Sequence, residues 1–262
     1  MLLAIDIGNS TIGLGLFPDP LKGKKLFINK ISTHPDLPAT EYRKIINKFI
    51  RRHAPAFFLG KNRSIGVIIS SVVPSLDPKI IKSIKGVCST KVLIVSYKLK
   101  TGLTFDVSRP EEVGADRIAN AVGGFHYFKK PTAVIDFGTA TTITVVGRKG
   151  NLLGGSILPG LKLMQSALHA GTARLPLIPL KKPEYVSGHD TVSSIQSGII
   201  YGTAGAIESL IKSVEKEYRF RLKLILTGGH SKLLSPLIKR EHLLIPDLTL
   251  EGLRLIYLRN LN

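Results

Sequence analysis

The chain has 262 residues, of which 44% are hydrophobic, and this composition excludes an intrinsically disordered protein. No apolar run approaches the roughly 18 residues of a membrane span, and no basic segment precedes the first apolar residues as in a signal peptide. Cys88 is the one cysteine, which excludes an intrachain disulfide, so we expect a cytoplasmic protein without a membrane anchor.

The formal charge is +19, from 37 Lys and Arg against 18 Asp and Glu. Such a charge attracts small anions such as ATP, and it is also compatible with nucleic-acid binding. The basic residues are scattered along amphipathic elements, and no Phe or Tyr ladder interleaves with them. We therefore favour a basic, solvated surface over dedicated nucleic-acid recognition.

The first half of the chain predicts a meander of strands followed by alternating helices and strands. Strands are expected at 2–8, 11–17 and 25–32, an amphipathic helix at 41–54, a strand at 65–74, a helix at 74–86 and a strand at 91–96. Residues 97–113 break the periodicity, which favours a functional loop, and a helix follows over 114–128.

The second half repeats this order. A hairpin at 133–146 leads into glycine-rich turns over 147–160, a helix near 160–170, a Pro-rich extended stretch at 175–185, a long helix at 191–218, a strand at 223–229 and a closing helix at 248–261. Gly198, Gly202 and Gly205 make part of the long helix thin, which indicates a lobe junction or a subunit contact. The pattern predicts two copies of one α/β unit around a cleft, with lobes at 1–117 and 118–262.

Two matching hairpin sequences carry the strongest chemical signal. They are AIDIGNSTIGLGLF at 4–17 and AVIDFGTATTITVV at 133–146. Gly8 and Gly138 allow a phosphate to approach the backbone, whereas Asp6 and Asp136 require a cation between carboxylate and phosphate. The alternative is that each Asp-x-Gly is an Asx turn that only closes a hairpin. Because the motif occurs in two matched copies, we favour the functional interpretation.

Other catalytic motifs are missing from the sequence. It contains no GxxxxGK[ST] or GxGxxG phosphate loop, no HExxH and no GxSxG. One cysteine also excludes a Cys-rich zinc site.

Paired Asp-x-Gly hairpins followed by a late TGG turn resemble the acetate and sugar kinase, heat-shock ATPase and actin superfamily. More narrowly, the chain resembles the type III pantothenate kinases. The matching strings are DIGNST (6–11), SSVVP (70–74), PEEVGADRIANAV (110–122), DFGTATT (136–142), LGGSILPGL (153–161), GTARLP (171–176), TVSSIQSGIIYG (191–202), LTGG (226–229) and LTLEGLRLIY (248–257). The resemblance implies a duplicated actin-like ATPase fold of the ribonuclease H type, with two lobes around a nucleotide cleft.

The resemblance also implies roles for individual residues. ATP would be held by the first hairpin, Thr139 and the TGG turn, that is by Asp6, Ile7, Gly8, Asn9, Ser10, Thr11, Ile12, Gly13, Thr139, Gly228 and Gly229. Asp6 would lie near Mg²⁺, and Asp136 would help to bind a monovalent cation, K⁺ or NH₄⁺. Pantothenate would contact Gly114, Ala115, Asp116, Arg117 and Thr191, with Asp116 as the catalytic base. The family resemblance further implies a homodimer.

Three points stay open at the level of sequence. Asp116 lies in the first helical turn, where the dipole favours the ionised form, but it could serve helix stability alone. Arg117 pairs either with the substrate carboxylate or with a surface acid. Val107 stands where the family often has a Tyr lining the pantothenate pocket, so the pocket wall differs. The rival hypotheses are a kinase for another hydroxylated acid and a regulatory or nucleic-acid-binding relative.

Overall fold

The computed structural model describes residues 1–23, 26–59, 65–87 and 91–261, so Cys88 lies outside the described residues. The chain forms two compact units. The first comprises Met1–Leu103, Ser108–Gly123 and the chain from Leu248 onward, and the second comprises Thr104–Val107 and Gly124–Asp247. In the described residues, no helix is both long and apolar enough to cross a membrane.

The first unit is built on a sheet of strands β1 to β5. Its elements are β1 (Leu2–Ile7), β2 (Thr11–Phe17), β3 (Phe27–Ser32), helix α1 (Ala39–His53), α2 (Ala56–Leu59), β4 (Gly66–Ser71), α3 (Asp77–Lys85), β5 (Val92–Ile94), α4 (Ala115–Phe128) and the last helix, α8 (Leu248–Arg259). Helices α1 and α3 pack on each other, and α8 packs on β1, β2 and β4. Strand β1 is apolar and buried at every position from Leu2 to Ile7 except Asp6, as expected for a central strand.

The second unit repeats this plan. It contains β6 (Thr104–Phe105), β7 (Thr132–Phe137), β8 (Ala140–Val146), β9 (Asn151–Pro159), α5 (Leu161–Ala170), α6 (Thr191–Tyr218), β10 (Lys223–Thr227), α7 (Ser231–Leu234) and β11 (His242–Leu244). Helices α5 and α6 pack together, and the apolar side of α6 is buried in the core of this unit.

The two sheets have the same topology. The first has the order β3-β2-β1-β4-β5, and the second has β9-β8-β7-β10-β11 with β6 added beyond β9. In both, the first three strands are antiparallel neighbours and the last two run parallel to the central strand. This repetition confirms the predicted duplicated, actin-like α/β fold.

Two segments differ from their sequence-based predictions. The glycine-rich residues 147–160 were expected to turn, but most of them form the long strand β9, in which Gly154 and Gly155 take φ angles of +113° and +143°. A Cβ on Gly155 would lie 1.8 Å from the carbonyl oxygen of Ile143, so only glycine allows this pairing. The loop at 97–113 contains β6, which pairs parallel with β9.

The compact units are discontinuous in sequence, whereas a single boundary was expected between residues 117 and 118. Helix α4 is shared, because residues up to Gly123 belong to the first unit and residues from Gly124 to the second. The last helix returns to the first unit, where Gly252 lies so close to α4 that a Cβ would be 1.9 Å from the carbonyl oxygen of Ala119. Sequence order alone does not reveal such a return.

Glu215, on the last turns of α6, is the central carboxylate of a buried polar cluster. Its side chain is 8% exposed and accepts hydrogen bonds from both terminal nitrogens of Arg240, at 2.7 and 3.0 Å, and from the N–H of Leu222 at 2.8 Å. Burial alone would raise the pKa of Glu215, but the Arg240 and Leu222 hydrogen bonds and the nearby arginine charges hold that pKa below its ordinary value. The cluster ties α6 to the start of β10.

We expect Glu215→Gln to lower the free energy of unfolding by about 1–3 kcal/mol, because it removes charge-assisted hydrogen bonds from a buried site. A group whose pKa is lowered on folding stabilises the native state above its unfolded pKa. The extra stability of the wild type over the variant should therefore be fully present above about pH 4.3, and it should be lost as the pH falls through the lowered pKa of Glu215. Urea unfolding of the wild type and of Glu215→Gln at several pH values above and below about 4.3 measures this difference in the free energy of unfolding. A difference that does not change with pH would contradict the role given to the Glu215 carboxylate.

Candidate functional site

The first hairpin turn presents its polar residues to solvent on a fixed backbone. The N–H of Gly8 donates to the carbonyl of Thr11 at 3.0 Å, and Asn9, Ser10 and Thr11 are exposed. Thr33 braces the turn from outside, since its hydroxyl donates to the carbonyl of Gly8 at 2.6 Å and its N–H donates to Ser10 at 3.1 Å. Thr33 has no motif of its own, and sequence analysis missed it.

Asp6 lies near the end of β1, between the neighbouring strands β2 and β4. Its register partners are Gly13 and Ser70. The hydroxyl of Ser70 is buried and has no hydrogen-bond partner in the described residues. A half-buried carboxylate beside an unsatisfied hydroxyl is a set of oxygen donors that suits a hard cation such as Mg²⁺.

The second hairpin is enclosed by two glycines from elsewhere in the chain. A Cβ on Gly160 would lie 2.2 Å from the carbonyl oxygen of Thr139, and a Cβ on Gly228 would lie 2.3 Å from Oδ1 of Asp136. Gly228 also has φ +88°, which favours glycine. The second unit thus brings Asp136, Thr139 and the TGG turn together. Gly229 is exposed, and a Cβ there would meet nothing within 4 Å.

Two further polar atoms border this hairpin. The hydroxyl of Thr141 is buried without a hydrogen-bond partner in the described residues, and so is Nδ1 of His230. The N–H of His230 donates to the carbonyl of Phe137 at 3.1 Å. Burial, together with the charge of Lys162, lowers the pKa of His230, so its ring is neutral near pH 7. His230 directly follows the TGG string, but nothing in the sequence pattern marked it.

Asp116 lies at the start of α4 in the first unit. Its Oδ1 accepts the N–H of Arg117 at 2.8 Å, and Gly114 lies so close that a Cβ there would be 2.5 Å from the same oxygen. Burial raises the pKa of Asp116, outweighing the N–H and the charge of Arg117. The sequence-based expectation that the helix N-terminus would favour the ionised form is therefore corrected, because desolvation is the larger effect. Burial likewise lowers the pKa of Arg117.

One turn connects Asp116 with the Asp6 hairpin inside the first unit. The N–H of Val72 donates to the carbonyl of Ile7 at 3.0 Å, and the Cγ1 of Val72 lies 3.8 Å from the Cβ position of Gly114. Ser71 holds this turn by accepting the N–H of Val73 at 3.2 Å. The SSVVP string therefore positions the Asp116 helix start beside the end of β1.

Thr191 and Val107 both belong to the second unit. Thr191 is the exposed first residue of α6, next to a capping box formed by Asp190 and Ser193. Val107 is half-buried, with its Cγ1 3.8 Å from the Cβ position of Gly154. Within the described residues, no recorded contact joins Thr191 or Val107 to Asp136 or Thr139 of the second hairpin.

Within the described ranges, no group of three or more His, Cys, Asp or Glu side chains could hold a metal ion. A cation at either hairpin would therefore rely on one carboxylate, neighbouring hydroxyl or carbonyl oxygens, and the oxygens of a bound phosphate. That is how Mg²⁺ is commonly held in phosphoryl-transfer sites.

Comparison with known proteins decides the family. The family model described as type III pantothenate kinase matches residues 2–213. The chain belongs to the type III pantothenate kinase family. It is accordingly a kinase, an enzyme that transfers a phosphoryl group. A type III pantothenate kinase from Brevibacillus brevis is 39% identical over 261 residues, and one from Geobacter sulfurreducens is 37% identical, each match covering 99% of both chains.

Solved structures agree on the fold. A Baf family transcriptional activator from Campylobacter jejuni matches with a TM-score of 0.60 at 19% sequence identity, covering 98% of each chain. At this identity the likeness shows the shared fold alone.

Gly228→Ala and Gly229→Ala form a matched test of the packing around Asp136. The first change adds a Cβ at a positive φ and 2.3 Å from the Asp136 carboxylate, whereas the second adds one in open space. We expect Gly228→Ala to cost about 1–2 kcal/mol from backbone strain alone and Gly229→Ala to cost little. Thermal unfolding measures both, and equal midpoints for the two variants would contradict the described contact.

Proposed function

We propose that this kinase transfers the γ-phosphoryl group of ATP to the 4′-hydroxyl of pantothenate, giving 4′-phosphopantothenate, the first step toward coenzyme A. The family membership supports the substrate. The observation that carries the proposal is the turn at Val72, which packs the Asp116 helix start against the strand that ends in the Asp6 hairpin. A base and a phosphate-binding turn thereby share one rigid support.

Asp116 is the proposed general base. In its ionised form it accepts a hydrogen bond from the substrate hydroxyl, orients that oxygen toward the γ-phosphorus and takes its proton as the new P–O bond forms. Phosphoryl transfer depends mainly on position and charge neutralisation, so a strongly basic group is not needed. Arg117, next to it on α4, is proposed to pair with the carboxylate of pantothenate, and Gly114, Ala115 and Thr191 to contact the same substrate.

The nucleotide is proposed to use residues of both hairpins. Exposed donors at Asn9, Ser10 and Thr11 suit the phosphate oxygens, Thr139 adds a contact, and Gly228 and Gly229 suit the adenosine. Asp6 would hold Mg²⁺, and Asp136 would hold K⁺ or NH₄⁺. These cations supply charge neutralisation for the transferred group when bound.

The exposed glycines of helix α6 support the proposal of a homodimer. Gly198, Gly202 and Gly205 lie on its exposed side, and a Cβ on any of them would meet nothing within 4 Å. Each exposed helical glycine costs about 0.5–1 kcal/mol relative to alanine, without a gain in packing against the part of the chain that the structure describes. Close approach of a second copy of the chain to this side of α6 would account for these glycines.

We also propose a cytoplasmic location, as the sequence indicates.

Asp116→Asn tests the base. We expect turnover to fall by about 100-fold or more, because the amide cannot accept the proton. The wild-type rate should decline as the pH falls through the raised pKa of Asp116, and the variant should lack this decline. A raised carboxyl pKa also means that ionisation destabilises the native state above about pH 3.9, so the variant should be at least as stable as the wild type near neutral pH.

Glu111→Gln is the matched control, since Glu111 is an exposed carboxylate close by in sequence. It should leave turnover and its pH dependence unchanged. Near-full turnover in Asp116→Asn would exclude Asp116 as the base, whereas a lower melting temperature in that variant would contradict the account of its burial.

Gly202→Leu tests the dimer. We expect it to shift the protein to monomer in light scattering coupled to size exclusion, because the side chain would separate two closely packed helices. Lys48→Leu, at an exposed position on α1, is the control for a general effect of an added leucine. A Gly202→Leu protein that keeps the wild-type mass would remove α6 from the proposed interface.

A further inference from the structure

Two helices of the first unit collect a large share of the positive charge. Helices α1 and α3 contain eight Lys and Arg residues against the two acids Glu41 and Asp77. The exposed cations on α1 are Lys44, Lys48, Arg51 and Arg52, and those on α3 are Lys82 and Lys85. Residues that looked scattered in the sequence thus lie on two helices that pack on each other.

The α1 cations follow helical spacing and form one stripe along roughly 12 Å of the helix. The opposite side of α1, with Tyr42, Ile46, Phe49 and Ile50, is buried in the core. On α3, Lys82 and Lys85 are spaced so that they share one face, with Ile80 and Ile84 buried opposite. We call these six exposed cations the α1–α3 basic face.

Arg43 joins the two helices. Its guanidinium group lies over the end of α3, where a Cβ on Gly86 would be 2.3 Å from Cζ of Arg43. Its Nε is buried and has no hydrogen-bond partner in the described residues. Ser83 adds a second link by donating its hydroxyl to the carbonyl of Ala39 at 2.6 Å. The cations of both helices are therefore held on one scaffold.

Few of these charges are neutralised by the chain itself. Lys44 pairs with Glu41 at 2.7 Å, an exposed pair of small energetic value. In the ranges that the structure describes, Lys48, Arg52, Lys82 and Lys85 have no carboxylate within 4 Å. Since uncompensated like charges repel, a face of this kind gains free energy when a polyanion approaches.

We propose that the α1–α3 basic face binds the phosphate backbone of duplex nucleic acid without sequence preference, a second function that departs from the solvated surface expected from sequence. The described residues of α1 and α3 offer no exposed large apolar side chain, which a protein partner would use as an anchor. The apolar side of α1 is already buried, so it cannot insert into a membrane. A second copy of the chain is excluded by like charge.

Single-stranded nucleic acid fits the face less well than a duplex. Proteins that hold single strands stack bases on aromatic side chains, and the exposed side of neither helix carries one in the described residues. Exposed cations at helical spacing, without stacking groups beside them, match the dense charge of a duplex backbone. Neither helix belongs to the hairpins or the Asp116 turn, so the proposal stands apart from the kinase chemistry.

The test compares two triple charge reversals in the full-length protein. The first is Lys48→Glu, Arg51→Glu and Arg52→Glu on the basic face. The second, the control variant, is Lys130→Glu, Arg148→Glu and Lys149→Glu, at exposed positions of the second unit away from α6, which changes the net charge equally. Binding to a labelled duplex and to its scrambled sequence is followed by fluorescence anisotropy between about 50 and 200 mM salt. Circular dichroism and thermal unfolding confirm that both variants fold.

We expect the wild type and the control variant to bind both duplexes alike, with affinity falling steeply as salt rises. The basic-face variant should bind at least about tenfold more weakly, with a salt slope reduced by about 3, one unit for each lost phosphate contact. Kinase turnover should be the same in all three proteins. Equal weakening in both variants would overturn the proposal, as would unchanged binding in the basic-face variant. Preferential binding to phosphatidylserine vesicles or to polyglutamate would also overturn it.

Discussion

A carboxylate near the end of a central strand, β1 in one sheet and β7 in the other, is the constraint on which the rest of the structure depends. Strands β1 and β7 are buried along their length except at Asp6 and Asp136. A charge at such a position is costly unless polar atoms or a cation surround it. In register on the neighbouring parallel strands lie Ser70 beside Asp6 and Thr227 beside Asp136. The Ser70 hydroxyl has no hydrogen-bond partner in the described residues, and the Thr227 hydroxyl donates to the carbonyl of Pro246 at 3.2 Å. Beside Asp136, a Cβ on Gly138 would lie 3.4 Å and one on Gly228 2.3 Å from Oδ1, so glycine leaves room for this carboxylate.

The remaining chemistry is organised around this constraint. Asp116 is supported by the turn that follows β4, so its position depends on the same strand that carries Ser70. Burial raises its pKa, so ionisation of this carboxyl group costs the native state free energy. Stability is thus reduced where the proposed reaction needs a base that is matched to its working pH. Glu215 shows the opposite case, since the hydrogen bonds from Arg240 and Leu222 and the nearby arginine charges outweigh the effect of burial on its pKa.

Local sequence patterns predicted much of the fold, because their physical causes are local. Helix α6 begins at Thr191 and ends at Tyr218 as its periodicity predicts, and both hairpins are marked by Asp and Gly at a fixed spacing. Strand β9 was missed, since Gly154 and Gly155 resemble a turn until their pairing with β8 is known. The contacts of Gly160 and Gly228 with the second hairpin, the packing of α8 and the burial of Asp116 depend on distant residues. No local pattern reveals these.

The most direct measurement is the fate of the γ-phosphoryl group. The purified protein is incubated with ATP, Mg²⁺, K⁺ and pantothenate, and the products are identified by mass spectrometry and phosphorus NMR. The account predicts one equivalent of ADP for each 4′-phosphopantothenate, with transfer abolished when pantothenate is replaced by its analogue lacking the 4′-hydroxyl. Phosphorylation of other hydroxylated acids in preference to pantothenate would contradict the account, as would ATP hydrolysis without transfer.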